Sequence, residues 1–411
     1  MSRQKNPAHL RKGYTTGACA AAAAAGAAAM LRDQQCYHSW TLELQGKPHE
    51  FRLEDPQVHP QWAACRVVKD AGDDPDITNG VSVHARVALE ALDVPEVGGA
   101  EGVGGTKETP DITLVAGEGV GTVTRPGLPV AVGQPAINDA PRQMILTNVK
   151  HVLEDHSWEK PTVFQGSLSL DTSRRYTVTI SIPGGEALAK RTYNPKLGVV
   201  GGLSILGTTG IVEPMSQEAW VRTLELECRM LAAAGHHRWL VVPGSHGQAF
   251  LRDQLKIHPA TDPSPVIRMG NFPGTLFDEA ATLGVKEVLL VGHVAKLVKI
   301  AGGIFHLHSR VADARREILA ANLLLYGADI SLMTKVMHSN TAEEAAGIIQ
   351  AAGEKAFFDF LAHRISRAAA ERTDHQVQVG TILFSYEGGL LGMCPQGRRQ
   401  QEKWKEQEDT P

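Results

Sequence analysis

The feature that most constrains this chain is a run of small residues near its beginning. Lys12-Gly13-Tyr14-Thr15-Thr16-Gly17-Ala18-Cys19 leads into Ala20–Ala25 and, after Gly26, into Ala27–Ala29. Alanine is the best helix former, and its short side chain lets a neighbouring backbone come close. Thr15 and Thr16 each carry a hydroxyl suited to a helix start, where the first N–H groups lack partners. Gly17 sits where a tight turn or a close approach wants no Cβ. The segment reads as a polar loop delivering the chain into a thin, buried helix. Two uses of that helix start stay open: a well-capped core helix, or a seat for an anion such as a carboxylate.

The chain's 411 residues exceed one ordinary core, so two domains are expected. With 41 Lys+Arg against 45 Asp+Glu, charge is nearly balanced and asks for neither nucleic acid nor an anionic membrane as partner. Cys19, Cys36, Cys65, Cys228 and Cys394 are scattered, odd in number and without a CxxC pair. That pattern disfavours a disulfide framework and a cysteine-built zinc site. The alanine tract is too short and too weakly hydrophobic for a membrane span, and the TTG before it does not suit a signal peptide. A cytoplasmic protein is expected, and a homo-oligomer is left open.

The first half mixes strands and helices without a regular rhythm. Strands are expected at Trp40–Leu44, Cys65–Lys69, Ile112–Ala116 and Tyr176–Ile182, and a helix from Pro141 to about Glu154. Residues 95–110 read as a mobile surface loop. The second half repeats strand, glycine turn, helix: Trp239–Val242, Val266–Met269 and Val288–Val291 each end in a glycine-bearing turn. Helices are expected near 216–234, 275–283, 294–301 and 309–325, a long helical stretch at 340–371, and a last strand at Val377–Tyr386. The expected fold class is an α+β N-terminal domain, 1–205, followed by an α/β Rossmann-like domain, 206–375, with a mainly parallel sheet. A closing strand or hairpin, 376–397, and a frayed polar tail, 398–411, complete it.

The loop Asp70-Ala71-Gly72-Asp73-Asp74-Pro75-Asp76 packs four carboxylates into seven residues. It could orient a polar ligand or hold a base whose pKa its neighbours lift. It could equally be a turn satisfying its own backbone; an EF-hand spacing is missing. Gly117, Gly119 and Gly121 lack the full dinucleotide fingerprint and suit backbone clearance for a flat ligand. That gap also disfavours a nicotinamide-dependent dehydrogenase. His236, His237, His293, His306 and His308 make no convincing metal set.

Four stretches carry a resemblance: Lys12–Ala24, Asp70–Thr78, Gly117–Val123, and Pro135-Ala136-Ile137-Asn138 with Pro141-Arg142. They are similar to signatures of the CbiD family, the cobalt-precorrin-5B C1-methyltransferases of anaerobic cobalamin synthesis. Weaker similarity runs through Ile182–Gly185 and Gly207–Met215 to Gly292-His293. Gly26 and Asn79 depart from the pattern, where Lys and His are expected. The resemblance implies S-adenosylmethionine as methyl donor and a corrinoid substrate that brings any cobalt within its own ring. It implies a role on the macrocycle for Asp73 or Asp74. Thr15, Thr16, Gly17, Asp76, Asn138 and the cations Arg125, Arg142, Lys190, Arg191 and Lys196 become candidates for the substrate and its rim of carboxylates. Gly244, Ser245, His246, Gly247, Gly270, Asn271, Gly292 and His293 lie after strands, where open parallel sheets bind ligands, and become candidates for the donor. A non-catalytic corrinoid carrier is the alternative.

Overall fold

Residues 10–90, 111–154, 175–259, 261–387 and 389–406 are described by a computed structural model. The expected loop at 95–110 lies outside the described residues. Contacts divide the chain into two units, Met1–Ser216 and Gln217–Pro411. The division falls beyond the expected 205 because residues 206–215 stay bonded within the first unit. Leu206 donates its N–H to Thr16 Oγ1 (3.0 Å), Thr15 N–H goes to Gly210 O (3.0 Å) and Met215 N–H to Asp74 Oδ1 (2.9 Å).

In order, the first unit holds β1 (Gly13–Tyr14), α1 (Thr16–Asp33), β2 (Ser39–Leu44), β3 (Lys47–Arg52), β4 (Glu54–His59), β5 (Trp62–Val68) and β6 (Ser82–Glu90). It continues with β7 (Asp111–Ala116), β8 (Thr122–Val123), α2 (Asp139–Glu154), β9 (Arg175–Ser181), α3 (Gly185–Ala189), β10 (Val199–Val200) and β11 (Ile211–Val212). The main sheet runs β4-β5-β6-β9-β7, antiparallel except that β7 is parallel to β9. Every residue of α1 from Thr16 to Leu31 is buried, between α2 and the inner face of β5 and β6. That face is itself small or branched: Ala63, Cys65 and Val67, then Val83, Ala85 and Val87. An alanine helix lets a sheet and a second helix both approach closely, and here its residues from Thr16 to Leu31 are all buried between them. Gly26 belongs to the same fit, since a Cβ there would meet Leu53 Cδ1 at 2.5 Å. The β2–β3 hairpin, which was not anticipated, turns on Gln45 and Gly46, both at positive φ (52° and 72°).

The second unit holds α4 (Gln217–Ala233), β12 (Arg238–Val242), α5 (Ser245–Asp253), β13 (Val266–Arg268), α6 (Pro273–Thr282), β14 (Glu287–His293) and α7 (Val294–Ala301). There follow α8 (Arg315–Tyr326), α9 (Ile330–Met337), α10 (Ala342–Ala351), α11 (Phe357–Arg372), β15 (Gln378–Ser385), β16 (Gly389–Met393) and α12 (Pro395–Glu406). Its sheet, β13-β12-β14-β15-β16, is parallel except at β16. Both faces are covered, so the strands read as continuous apolar runs. Trp239, Val241, Val288 and Leu290 face one core with α4, α6 and α11; Leu240, Val242, Leu289 and Val291 face another with Phe250 and Trp404.

Three expectations change here. Residues 376–397 do hold the expected strand and hairpin, β15 paired antiparallel with β16, but these are the edge of the second unit's sheet, since β15 also pairs with β14 from Glu287↔Gln378 to His293↔Phe384. The stretch 340–371 is two helices, broken around Gly353 at φ 85°. The expected frayed tail instead forms α12 through Glu406, because Gly397, Gln400 and Trp404 recur on one buried face and Arg238 lies 4.9 Å over the Trp404 ring.

The α1 packing sets a test. Ala24→Leu should destabilise the protein by about 1–3 kcal/mol in urea denaturation, since the extra carbons have no space. Leu324→Ala, at a position 64% exposed, should stay within about 0.5 kcal/mol.

Candidate functional site

In the first unit, the motifs meet and hold one another. A Cβ on Gly13 would overlap the Ala71 backbone, and one on Gly72 the Arg11 carbonyl, so the two loops cross backbone against backbone. Tyr14 N–H donates to Asp70 O (2.7 Å) and Asp73 N–H to Arg11 O (2.9 Å). Arg11 grips Asp70 through both terminal nitrogens (2.5 and 2.8 Å), and that hydrogen-bonded cation holds the Asp70 carboxyl below the usual carboxylate range. Burial pushes the Asp76 carboxyl up. The charge of the buried Lys69 at 2.7 Å, with hydrogen bonds from Lys69 and Thr78, outweighs burial and leaves it lowered. The crowded loop therefore does not lift these two carboxyls. Asp73 accepts Arg11 N–H (3.0 Å) and Asp74 accepts Met215 N–H (2.9 Å), each spending one oxygen on backbone. Asn79, one of the two departures, accepts Ala71 N–H through its side chain (2.9 Å).

The helix start is a core cap rather than an anion seat. Thr15 Oγ1 accepts Ala18 N–H (3.1 Å), Gly17 N–H donates to Leu206 O (3.0 Å), and Thr16 Oγ1 accepts Leu206 N–H. A Cβ on Gly17 would strike Pro141 at 2.9 Å, so this glycine serves the crossing of α1 and α2. Likewise Gly119 packs directly on Gly185 and Gly202, and Gly121 on Val199, which fills the room expected for a flat ligand. Asp76, with Thr15, Thr16 and Gly17, thus has its polar groups committed inside the protein.

The expected cations are distributed differently. Arg125 lies across Gly198 and reaches Lys196 O (3.5 Å), while Lys196 sits 5.5 Å over the Tyr193 ring. Lys190 is exposed beside Glu186 (3.9 Å), and Arg191 is exposed next to it. Arg142 and Asn138 stand apart, at the start of α2, where Asn138 N–H donates to Ile205 O.

In the second unit, the chain runs from β12 to β13 on one side and from β14 to β15 on the other, so the strand order reverses between the parallel neighbours β12 and β14. The four glycines at this edge divide. Cβ atoms on Gly247 and Gly292 would collide with Val242 and with Leu297 and Pro243, so these two serve packing. A Cβ on Gly244 would meet nothing within 4 Å, and one on Gly270 only Phe272 at 3.8 Å. Ser245 and His246 are exposed on the first turn of α5, and Asn271 accepts Leu307 N–H through its carbonyl (2.8 Å). Gly244 therefore has an open side, and Gly270, at φ 61°, is required by its backbone conformation.

His293 is not a free ligand here. Its Nδ1 accepts Ala295 N–H (3.1 Å), so the proton sits on Nε2, which donates to Glu343 Oε2 (2.5 Å). Its ring stacks on Tyr386, centroids 4.0 Å apart. Burial pushes the imidazole below its ordinary range, and this outweighs the opposing pull of Glu343. Glu343 and Tyr386 were missed in the sequence; their only signal is position, one following a helix cap at Thr341 and the other a strand end. Among the described residues, no cluster of three or more His, Cys, Asp or Glu could hold a metal ion, and no helix is long and apolar enough to cross a membrane.

The comparisons cover this same span. A family profile described as CbiD matches residues 3–214, and one described as CbiD, C-terminal domain, matches 306–395. The chain belongs to the CbiD family. Proteins named cobalt-precorrin-5B C(1)-methyltransferase match it at 41% identity in Alkaliphilus metalliredigens (96% of this chain, 95% of the relative). The figures are 41% in Klebsiella pneumoniae (93% and 92%) and 40% in Thermoanaerobacter (94% and 96%). A crystal structure of a cobalamin biosynthesis protein (cbiD) from Archaeoglobus fulgidus is 26% identical, covers 75% of this chain and 84% of its own, and has a TM-score of 0.35. This CbiD chain is an enzyme, a methyltransferase of cobalamin biosynthesis. The first CbiD profile takes in the crossing loops at Gly13 and Ala71 and the start of α1, and the second takes in Glu343 and Tyr386.

The neutral His293 sets a pH test. Below about pH 6.5 the unfolded histidine binds a proton that the folded one refuses, so its contribution is complete above that value and is lost as pH falls. Unfolding free energy of the wild type should fall from pH 7.5 to pH 5, and His293→Gln should flatten that slope in denaturant titrations.

Proposed function

We propose that this chain transfers a methyl group from S-adenosylmethionine to C1 of cobalt-precorrin-5B, giving cobalt-precorrin-6A and S-adenosylhomocysteine in the cytoplasm. The observation that carries the reading is identity of about two residues in five with proteins of that name, over nearly the full length of both chains. The methyl group passes in line from the sulfonium to the ring carbon, whose electron pair forms the new bond while the carbon–sulfur pair stays on sulfur. The nucleophile is an electron-rich carbon of the substrate, so the protein's work is orientation and exclusion of water. Any cobalt is held by the substrate's own ring nitrogens.

Arg125, Arg142, Lys190, Arg191 and Lys196 are proposed to meet the corrinoid carboxylates, with Asn138 beside Arg142. All five cations keep side chains at or near the surface, where carboxylates can reach them. Asp73 and Asp74 are proposed to stabilise positive charge developing on the macrocycle; each retains an oxygen beyond the one committed to backbone. Gly244, Ser245, His246, Gly270 and Asn271 are proposed for the methyl donor, on the open side of the sheet edge.

The test is a transfer assay with methyl-labelled S-adenosylmethionine and cobalt-precorrin-5B. Label at C1 supports the reading; corrinoid bound without transfer points to a carrier, and neither binding nor transfer overturns both. Asp73→Asn keeps an acceptor for Arg11 N–H but removes the charge. It should leave the fold intact and lower turnover about tenfold, equivalent to ~1.4 kcal/mol of transition-state stabilisation.

A further inference from the structure

We propose that the exposed ring of Tyr386 is the platform on which the adenine of the methyl donor stacks; this rests on the donor reading of the sheet edge. Tyr386 is 61% exposed, while Phe384 and His293 beside it are buried. An aromatic left this open is normally loose, but here one face of the ring and the residue's backbone are both held. Its ring lies on His293 with centroids 4.0 Å apart and planes 23° from parallel. His293 is itself fixed by Ala295 N–H on one nitrogen and Glu343 on the other. The second oxygen of Glu343 accepts the backbone N–H groups of Tyr386 (3.0 Å) and Glu387 (3.3 Å). One carboxylate thus fixes both the tyrosine's backbone and the ring beneath it.

The surroundings suit a small flat heterocycle. His246, from the first turn of α5, meets the tyrosine at a 63° tilt with centroids 5.1 Å apart, and offers an edge rather than a lid. Gly244, two residues earlier, has no atom within 4 Å of where a Cβ would stand. These groups come from the ends of β12, β14 and β15, neighbours in the sheet and flanking its reversal point. A stacked purine needs a rigid π face and gains from it without a specific hydrogen-bond pattern. Preorganisation by Glu343 removes the ordering cost that a mobile tyrosine would carry.

The experiment is calorimetric titration of the full-length chain with S-adenosylhomocysteine, with 5′-methylthioadenosine, which keeps the adenine but lacks the amino-acid part, and with cobalt-precorrin-5B. Tyr386→Phe should bind all three within about twofold of wild type. Tyr386→Ser should weaken both adenine ligands about tenfold or more, to the same degree, and leave corrinoid affinity unchanged. Glu343→Gln, which keeps the ring but loosens its support, should weaken the adenine ligands less than Tyr386→Ser does. Unchanged S-adenosylhomocysteine affinity in a folded Tyr386→Ser variant overturns the proposal, as does weakening confined to the corrinoid, which would make the ring a macrocycle contact. If wild type binds the corrinoid but no adenine ligand, the donor reading itself fails, and the platform with it.

Discussion

Close approach of backbone to backbone is the constraint on which the first unit depends. The buried helix α1 has almost no side chains with which to earn its stability, so its contribution comes from letting others near. Cys65 Sγ reaches Ala23 O at 3.2 Å across that surface, a distance a larger residue on either element would forbid. The same economy appears where Gly13 crosses Ala71 and where Gly119 lies on Gly185 and Gly202. In each place the room of a missing Cβ is filled by another stretch of backbone. The motifs that distinguish the family in sequence are, to this extent, one packing solution.

This separates what could be read from the residues from what could not. The alanine tract announced a buried, capped helix, and the alternation at Tyr176–Ile182 and the apolar runs at Trp239 and Val288 announced their strands, because local periodicity reports burial directly. The carboxylates were illegible for the opposite reason. Asp74 is engaged by Met215 N–H, 141 positions away, and Asp73 by Arg11 N–H, 62 positions away, so their roles are set by pairings no local pattern encodes. The tail misled through composition: α12 is strongly polar, yet three residues spaced for one helical face suffice to dock it.

Glycine needed the structure most. Gly244 and Gly247 are three residues apart in one turn, and a sequence offers them as equals. The first faces open space and the second fills the angle between Val242 and Val291. His293 is a comparable case. A histidine after a parallel strand invites assignment to a ligand, whereas both of its nitrogens are committed, and its neighbour Tyr386 presents the accessible surface.

The first unit also closes on itself end to end. Lys12 pairs with Glu213, 201 positions later, β1 pairs with β11, and the start of α1 is completed by Leu206 and Gly210. During synthesis, the alanine helix can form early, but its cap and its acidic loop gain their last partners only when the chain has emerged through Met215. Until then a nearly side-chain-free helix has little to hold it in place, and its apolar surroundings stay open to wrong partners. The late segment acts as a clasp on both the helix start and the acidic loop.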